Sequence, residues 1–200
     1  MRYPYRIMML NLEALQAKYP FLTIFYYGTS VLGKRIPYIK LGNGTKEVFY
    51  NATIHANEWI NSVFFMKWIE NFCEAYSQGK DWQGYNLQEI WNTTTIYLAP
   101  MLNPDGVDLV TGVMNQNLPS YQEAVRIAED YPNIPFPNGW KANIRGGDFE
   151  KYHPLKCSNH PYLRAFLGIE MLLFFRFSIS IMTTLISNIK IVKNIQNKYD

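Results

Sequence analysis

Residues 51–60 read Asn51-Ala52-Thr53-Ile54-His55-Ala56-Asn57-Glu58-Trp59-Ile60, and the segments flanking them decide the fold. On the N-terminal side lies the apolar run 47–54, short enough for a buried strand. On the C-terminal side, Ile60, Val63, Phe64, Met66, Ile69, Phe72 and Cys73 recur at a helical period up to residue 76, and Gly79 supplies a stop. A strand therefore enters a polar turn at His55, and a helix begins around Glu58. An imidazole and a carboxylate three residues apart at such a junction can converge on one point, and both are good Zn²⁺ ligands. The C-terminal end of a strand is also where open α/β sheets build their sites. Taken alone, His-x-x-Glu is a weak signal, because a helix-capping polar turn without metal has the same pattern.

Working outward, residues 11–18 are amphipathic and stop before Tyr19-Pro20, as a helix does when proline follows. Residues 22–27 are β-branched and aromatic and end at Gly28, which predicts a strand. Residues 30–41 predict a hairpin arm, followed by the turn signal Gly42-Asn43-Gly44. The run 47–54 is expected to be a central strand. Another strand is expected over 93–100, with Thr95, Tyr97 and Ala99 alternating against Ile96 and Leu98. Strands separated by helices imply an α/β fold with a parallel or mixed sheet. Residues 115–140 predict a long surface excursion with a helix over 121–130, and such excursions often carry function.

Composition narrows the class. Of 200 residues, 48% are apolar and 18% charged, which is enough for a packed core and excludes wholesale disorder. The net charge of +3 is uneven: residues 1–149 hold 12 Lys and Arg against 13 Asp and Glu, whereas residues 150–200 hold 7 against 3. The main body therefore has no electrostatic footprint for nucleic acid. Cys73 and Cys157 are the only cysteines, too few for a disulfide framework; a single bridge or two free thiols both fit. Met8, Met9 and Leu10 are followed at once by Asn11 and Glu13, which is not the layout of a secretory signal. A cytoplasmic protein is the favoured expectation, unless an export or wall-binding part lies upstream.

Three motifs in order carry a family resemblance. His55-Ala56-Asn57-Glu58-Trp59-Ile60 resembles the zinc-binding signature of carboxypeptidase A-type metallopeptidases. Pro100-Met101-Leu102-Asn103-Pro104-Asp105-Gly106-Val107, at the end of the next strand, resembles that family's second signature. Asn143-Ile144-Arg145-Gly146-Gly147-Asp148 resembles the segment that carries its oxyanion-stabilising arginine. The resemblance covers roughly residues 5–149. Within the family, Tyr19-Pro20-Phe21-Leu22 and residues 140–146 look most like the bacterial γ-D-glutamyl-diamino acid endopeptidases, which cut cell-wall peptides. It implies a zinc-peptidase-like α/β/α fold with a mixed sheet. It makes His55 and Glu58 the first two zinc ligands. Arg145 would polarise the scissile carbonyl and hold the oxyanion, a task suited to a fixed guanidinium; the ordinary alternative for it is a surface ion pair. Asn103 and Asp105 are expected to be turn-formers that shape the site wall.

The resemblance also implies residues that do not appear. A working member needs a third zinc ligand, a histidine on a later strand, and a glutamate near its C-terminus as general base. Glu150 stands where the pattern expects asparagine. His153 and His160 each precede a proline in a loop-like run, and Glu170 sits within an apolar run, so none fits the missing roles. Two protein ligands hold zinc poorly beside the three of a catalytic site. The domain reading is a partial zinc carboxypeptidase-like domain over 1–149, incomplete on its C-terminal side, and an apolar tail over 150–200. A truncation, deletion or frame change near Gly147 would account for the break. Residues 171–186 are nearly all apolar but include Arg176 and fall short of the about 20 residues that cross a bilayer. The expected function is zinc-dependent hydrolysis of peptide bonds, with γ-D-glutamyl-diamino acid bonds of cell-wall muropeptides as substrate. Two other readings stand beside it: a non-catalytic peptide-binding remnant on the same scaffold, and a protein tethered through 171–186.

Overall fold

A mixed four-stranded sheet organises the computed structural model, which describes residues 2–147. Helix α1, Tyr5–Lys18, precedes strands β1, Thr23–Thr29, β2, Arg35–Leu41, and β3, Lys46–Asn51. A single 3-10 turn, Ala56–Glu58, leads into α2, Ile60–Ser77. Helix α3, Leu87–Thr93, feeds directly into β4, Thr94–Ala99, and two further helices follow: α4, Pro104–Val110, and α5, Pro119–Glu129. The strand order is β1-β2-β4-β3; β1–β2 and β2–β4 pair antiparallel, and β3–β4 pairs parallel.

This is the expected α/β class with a mixed sheet, but one strand has a different place. Among the described residues β3 is an edge strand, as is β1, and β4 lies in the interior of the sheet beside β2. The burial of β4 explains why: Thr95, Ile96, Leu98 and Ala99 are all buried, so both of its faces are covered. β3 has no fully buried residue. An apolar run identifies a strand, but not its rank in the sheet.

The main core lies on the face that carries Ile39 and Leu41 of β2, which pair across the sheet with Leu98 and Ile96 of β4. Met8, Leu12 and Leu15 of α1 pack against it, with Met66, Ile69, Phe72 and Cys73 of α2. The apolar spacing in α1 begins at Met8, so the helix starts at Tyr5, six residues before the expected residue 11. α3 was not expected. It is a short helix capped by Asn86, whose side chain accepts from the Glu89 amide at 2.9 Å. It is anchored by Trp91, which stacks on Tyr76 at 4.2 Å and meets Phe21 edge-on. The opposite sheet face carries aromatics instead: Phe25 stacks on Tyr38, which meets Tyr97 edge-on. Cys73 is a free thiol in the core, and burial pushes its pKa up to about 12. Cys157, Asp148 and the tail 150–200, with His153, His160, Glu170 and 171–186, lie outside the described residues.

A second, smaller cluster sits beneath the loops that follow the sheet. Ala56, Leu109, Val110, Met114, Ala124, Trp140 and Ile144 form it, drawn from the 3-10 turn, α4, α5 and the segment 140–144. The excursion 115–140 thus contains a helix, as expected, but it returns to pack Trp140 and Ile144 under the turn at Ala56. A charged clasp ties the β1–β2 turn to α4, whose Val107 belongs to the first cluster and whose Leu109 and Val110 belong to the second. Lys34 Nζ lies 3.0 Å from Asp105 and 2.9 Å from Asp108. Asp105 also accepts the Leu32 amide, and Asp108 accepts the Tyr5 amide.

Candidate functional site

At the C-terminal end of β3 the chain turns sharply, and the turn is built around Thr53. This residue is buried and holds φ at 56°, a left-handed conformation that is costly for a β-branched side chain. Its hydroxyl is fixed from two sides: Oγ1 donates to the Glu58 carbonyl at 3.2 Å and lies 2.7 Å from Ser62 Oγ. Ser62 in turn donates to the Pro100 carbonyl at 2.7 Å. These bonds hold a strained backbone in place and bind the start of α2 to the end of β4.

The strained turn delivers His55 and then the 3-10 turn Ala56–Glu58. The helix starts two residues later than expected, at Ile60, because residues 56–58 take the tighter 3-10 geometry. That geometry places the His55 and Glu58 side chains together: Nδ1 lies 3.1 Å from Oε1. His55 is mostly buried, and Glu58 is more open to solvent. In a tetrahedral zinc site, bond lengths of about 2.0–2.2 Å separate two ligand atoms by roughly 3.3–3.5 Å. The pair is therefore close to ligand spacing, and its atoms are of the types that zinc accepts. Among the described residues no group of three His, Cys, Asp or Glu side chains converges, so this is a two-donor arrangement there.

Arg145 sits on a different segment. Asn143 organises it as an Asx-turn: its Oδ1 accepts the amides of Arg145 at 2.9 Å and Gly147 at 3.0 Å. Ile144 points into the second cluster, and Arg145 faces solvent. Its guanidinium makes no hydrogen bond or ion pair with another described residue. One link between this segment and the His55 turn is a backbone bond, in which the Ala56 amide donates to the Lys141 carbonyl at 2.9 Å.

Asn103 and Asp105 take different roles from those expected. Asn103-Pro104-Asp105-Gly106 is the start of α4 rather than a free turn, with Pro104 at the first helical position and Asn103 as cap. Asp105 is buried against Lys34. The signal for both was the proline itself, which pre-sets helical φ at a helix start as readily as it does in a turn.

Comparison with known proteins adds the family context. The zinc carboxypeptidase family model (Peptidase_M14) matches residues 8–160, a span that runs past residue 149. Gamma-D-glutamyl-L-diamino acid endopeptidase 1 of Lysinibacillus sphaericus is 40% identical over 157 residues, covering 77% of this chain and 38% of that protein. Uncharacterized protein YqgT of Bacillus subtilis (strain 168) is 37% identical over 138 residues, covering 68% of this chain and 36% of that protein. The chain thus spans little more than a third of the length of these relatives. Thrombin activatable fibrinolysis inhibitor shares the fold at a TM-score of 0.50 and 15% identity, over 70% of this chain and 29% of that one.

Proposed function

Because the chain belongs to the zinc carboxypeptidase family, we propose that it supplies the first part of a zinc-dependent peptidase site acting on γ-D-glutamyl-diamino acid bonds of cell-wall peptides. The observation that carries this is the 3.1 Å approach of His55 Nδ1 to Glu58 Oε1 at the end of a strand. These two side chains would hold zinc. The chemistry zinc supplies at such a site is that of a Lewis acid, polarising a carbonyl and lowering the pKa of water. Arg145 would bind the carbonyl oxygen of the scissile bond, where its planar fork meets the negative charge that develops as water adds. The choice of cell-wall peptide is supported by the name of the Lysinibacillus relative. A near-neutral main body argues against a nucleic-acid partner. Among the described residues no helix is long and apolar enough to cross a membrane. The division into a family portion over 1–149 and a different tail over 150–200 belongs to the same proposal and is supported by the change in composition.

Zinc affinity by chelator competition tests the site directly. One weak site is expected, lost on dialysis against chelator, weakened at least about tenfold by His55→Ala or Glu58→Gln, and unaffected by His153→Ala or His160→Ala. Binding that survives both of the first two substitutions would overturn the ligand assignment. The two-donor arrangement among the described residues favours a second reading, a peptide-binding module without turnover. Capture of a γ-D-glutamyl-diaminopimelate peptide in the presence of chelator, with no hydrolysis when zinc is added, would decide for it.

A further inference from the structure

One buried side chain touches both segments to which the preceding reading gives chemical roles. Asn103 is 2% exposed and uses its whole carboxamide. Its Oδ1 accepts the Gly106 amide at 3.1 Å and so caps α4. Its Nδ2 donates to the Ile54 carbonyl at 3.1 Å and to the Ala142 carbonyl at 3.0 Å, with the Lys141 carbonyl at 3.4 Å. Ile54 is the residue before His55, and Ala142 lies three residues before Arg145. The Asn103 backbone amide donates to the Thr53 carbonyl, one residue further back.

We propose that Asn103 is a positioning residue that fixes the Arg145 loop relative to the His55–Glu58 turn. The inference rests on the reading of those residues as zinc ligands and oxyanion donor. The chemistry of the side chain explains why asparagine suits the place. A primary amide offers two N–H donors in one plane and an acceptor on the same group. It can therefore bridge carbonyls of two segments far apart in sequence while still capping a helix. Aspartate, serine and threonine cap equally well, but none brings two donors. Aspartate would also set a charged oxygen about 3 Å from two carbonyl oxygens, where only a donor is tolerated. The surroundings leave no room for adjustment: a Cβ at Gly106 would lie 2.6 Å from Asn103 Oδ1 and 2.7 Å from the Ala56 Cβ. The second cluster gives the loop its apolar footing through Trp140 and Ile144, but the carboxamide alone ties three segments to one group.

The test measures the relation between the two segments, apart from zinc and apart from activity. Spin labels are placed at Ile60→Cys, at the start of α2, and at Arg145→Cys, in the full chain with Cys157→Ser; Cys73 is buried and stays unlabelled. The distance distribution by pulsed electron resonance is expected to be narrow with Asn103 present and roughly doubled in width with Asn103→Asp, which keeps the cap. Asn103→Ser keeps a cap without the bridge and should broaden it similarly, providing a second route should the aspartate variant fail to fold. Asn86→Ala removes the cap of α3 and should leave the distribution narrow. An unchanged width in both Asn103 variants, or equal broadening with Asn86→Ala, overturns the proposal. Absence of zinc binding in the unsubstituted chain would refute the ligand reading and leave this distance result standing.

Discussion

The two hydrophobic clusters of this molecule are assembled by different means. The larger is made of regular elements: Ile39, Leu41, Ile96 and Leu98 alternate on strands, and Met66, Ile69 and Phe72 recur on one helical face. The smaller is made of a few residues each from a 3-10 turn, the helices α4 and α5 and loop segments, from Ala56 to Trp140 and Ile144. Its turn and loop parts are registered by polar bonds from Asn103 and Asn143. All the residues given chemical roles stand on the second kind of structure. Rigidity comes from the first region, and placement comes from a handful of side-chain-to-backbone bonds in the second. Ligand-binding segments are commonly drawn from the less stable end of a fold for this reason.

The comparison is most exposed to failure by a substitution in the first region. Phe72, on the buried face of α2, is 2% exposed, so Phe72→Ala should cost about 3–5 kcal/mol in urea unfolding and weaken both regions together. Cys73 reports on it. Its pKa, raised to about 12 by burial, should keep it inert to alkylation at neutral pH until the core opens, in a Cys157→Ser background. Rapid alkylation of the folded protein would show that the first region is not the rigid one. Lys34→Met attacks the seam. It leaves Asp105, 3% exposed at its side chain, without its cation, and should cost roughly 2–4 kcal/mol. A near-neutral result would mean that the clasp contributes no coupling between the regions.

Gly106→Ala sharpens the contrast within the second region. The added methyl group collides with Ala56 and Asn103 and should cost about 1–3 kcal/mol. Hydrogen exchange should rise at the Ala56 and Gly147 amides while α2 stays protected. Equal loss of protection in α2 would show a single cooperative unit and break the distinction. Thr53→Gly should have the smallest effect. It relieves strain of the order of 1–2 kcal/mol but loses the bonds to Glu58 and Ser62, about 1 kcal/mol each. Net stability should move by less than about 1 kcal/mol, with faster exchange confined to residues 54–58. A stabilised, equally protected variant would mean that the threonine hydroxyl holds nothing.

What the amino-acid sequence disclosed follows the same division. Helical period located α2 and alternation located β4, while β-branched and aromatic residues with their turn signals located the β1–β2 hairpin. The pattern did not give the rank of β3, an edge strand among the described residues, since Val48-Phe49-Tyr50 is as apolar as a central strand, while only the partners on either side decide rank. It passed over α3, where Leu87 is the sole fully buried residue and Trp91 does its packing from outside the pattern. At the site, the three-residue spacing of His55 and Glu58 was enough to bring them together, because one local turn sets their distance. The strain at Thr53 and the reach of Asn103 were not legible. Asn103 reaches partners up to 49 residues away along the chain, and no local pattern encodes them.

The position of β4 between β2 and β3 also orders events during synthesis. β2 and β3 are consecutive in the chain but are not neighbours in the sheet; each meets β4 instead. As the chain leaves a ribosome, β1 and β2 can pair at once. β3 then waits through all of α2 and α3, and gains a backbone partner only when Thr94–Ala99 emerges. During that interval the apolar face of α2 has only half a sheet to cover it. The interval is the natural point for a chaperone to act, and a ribosomal pause placed just before residue 94 should lower the yield of folded protein more than one placed after residue 99.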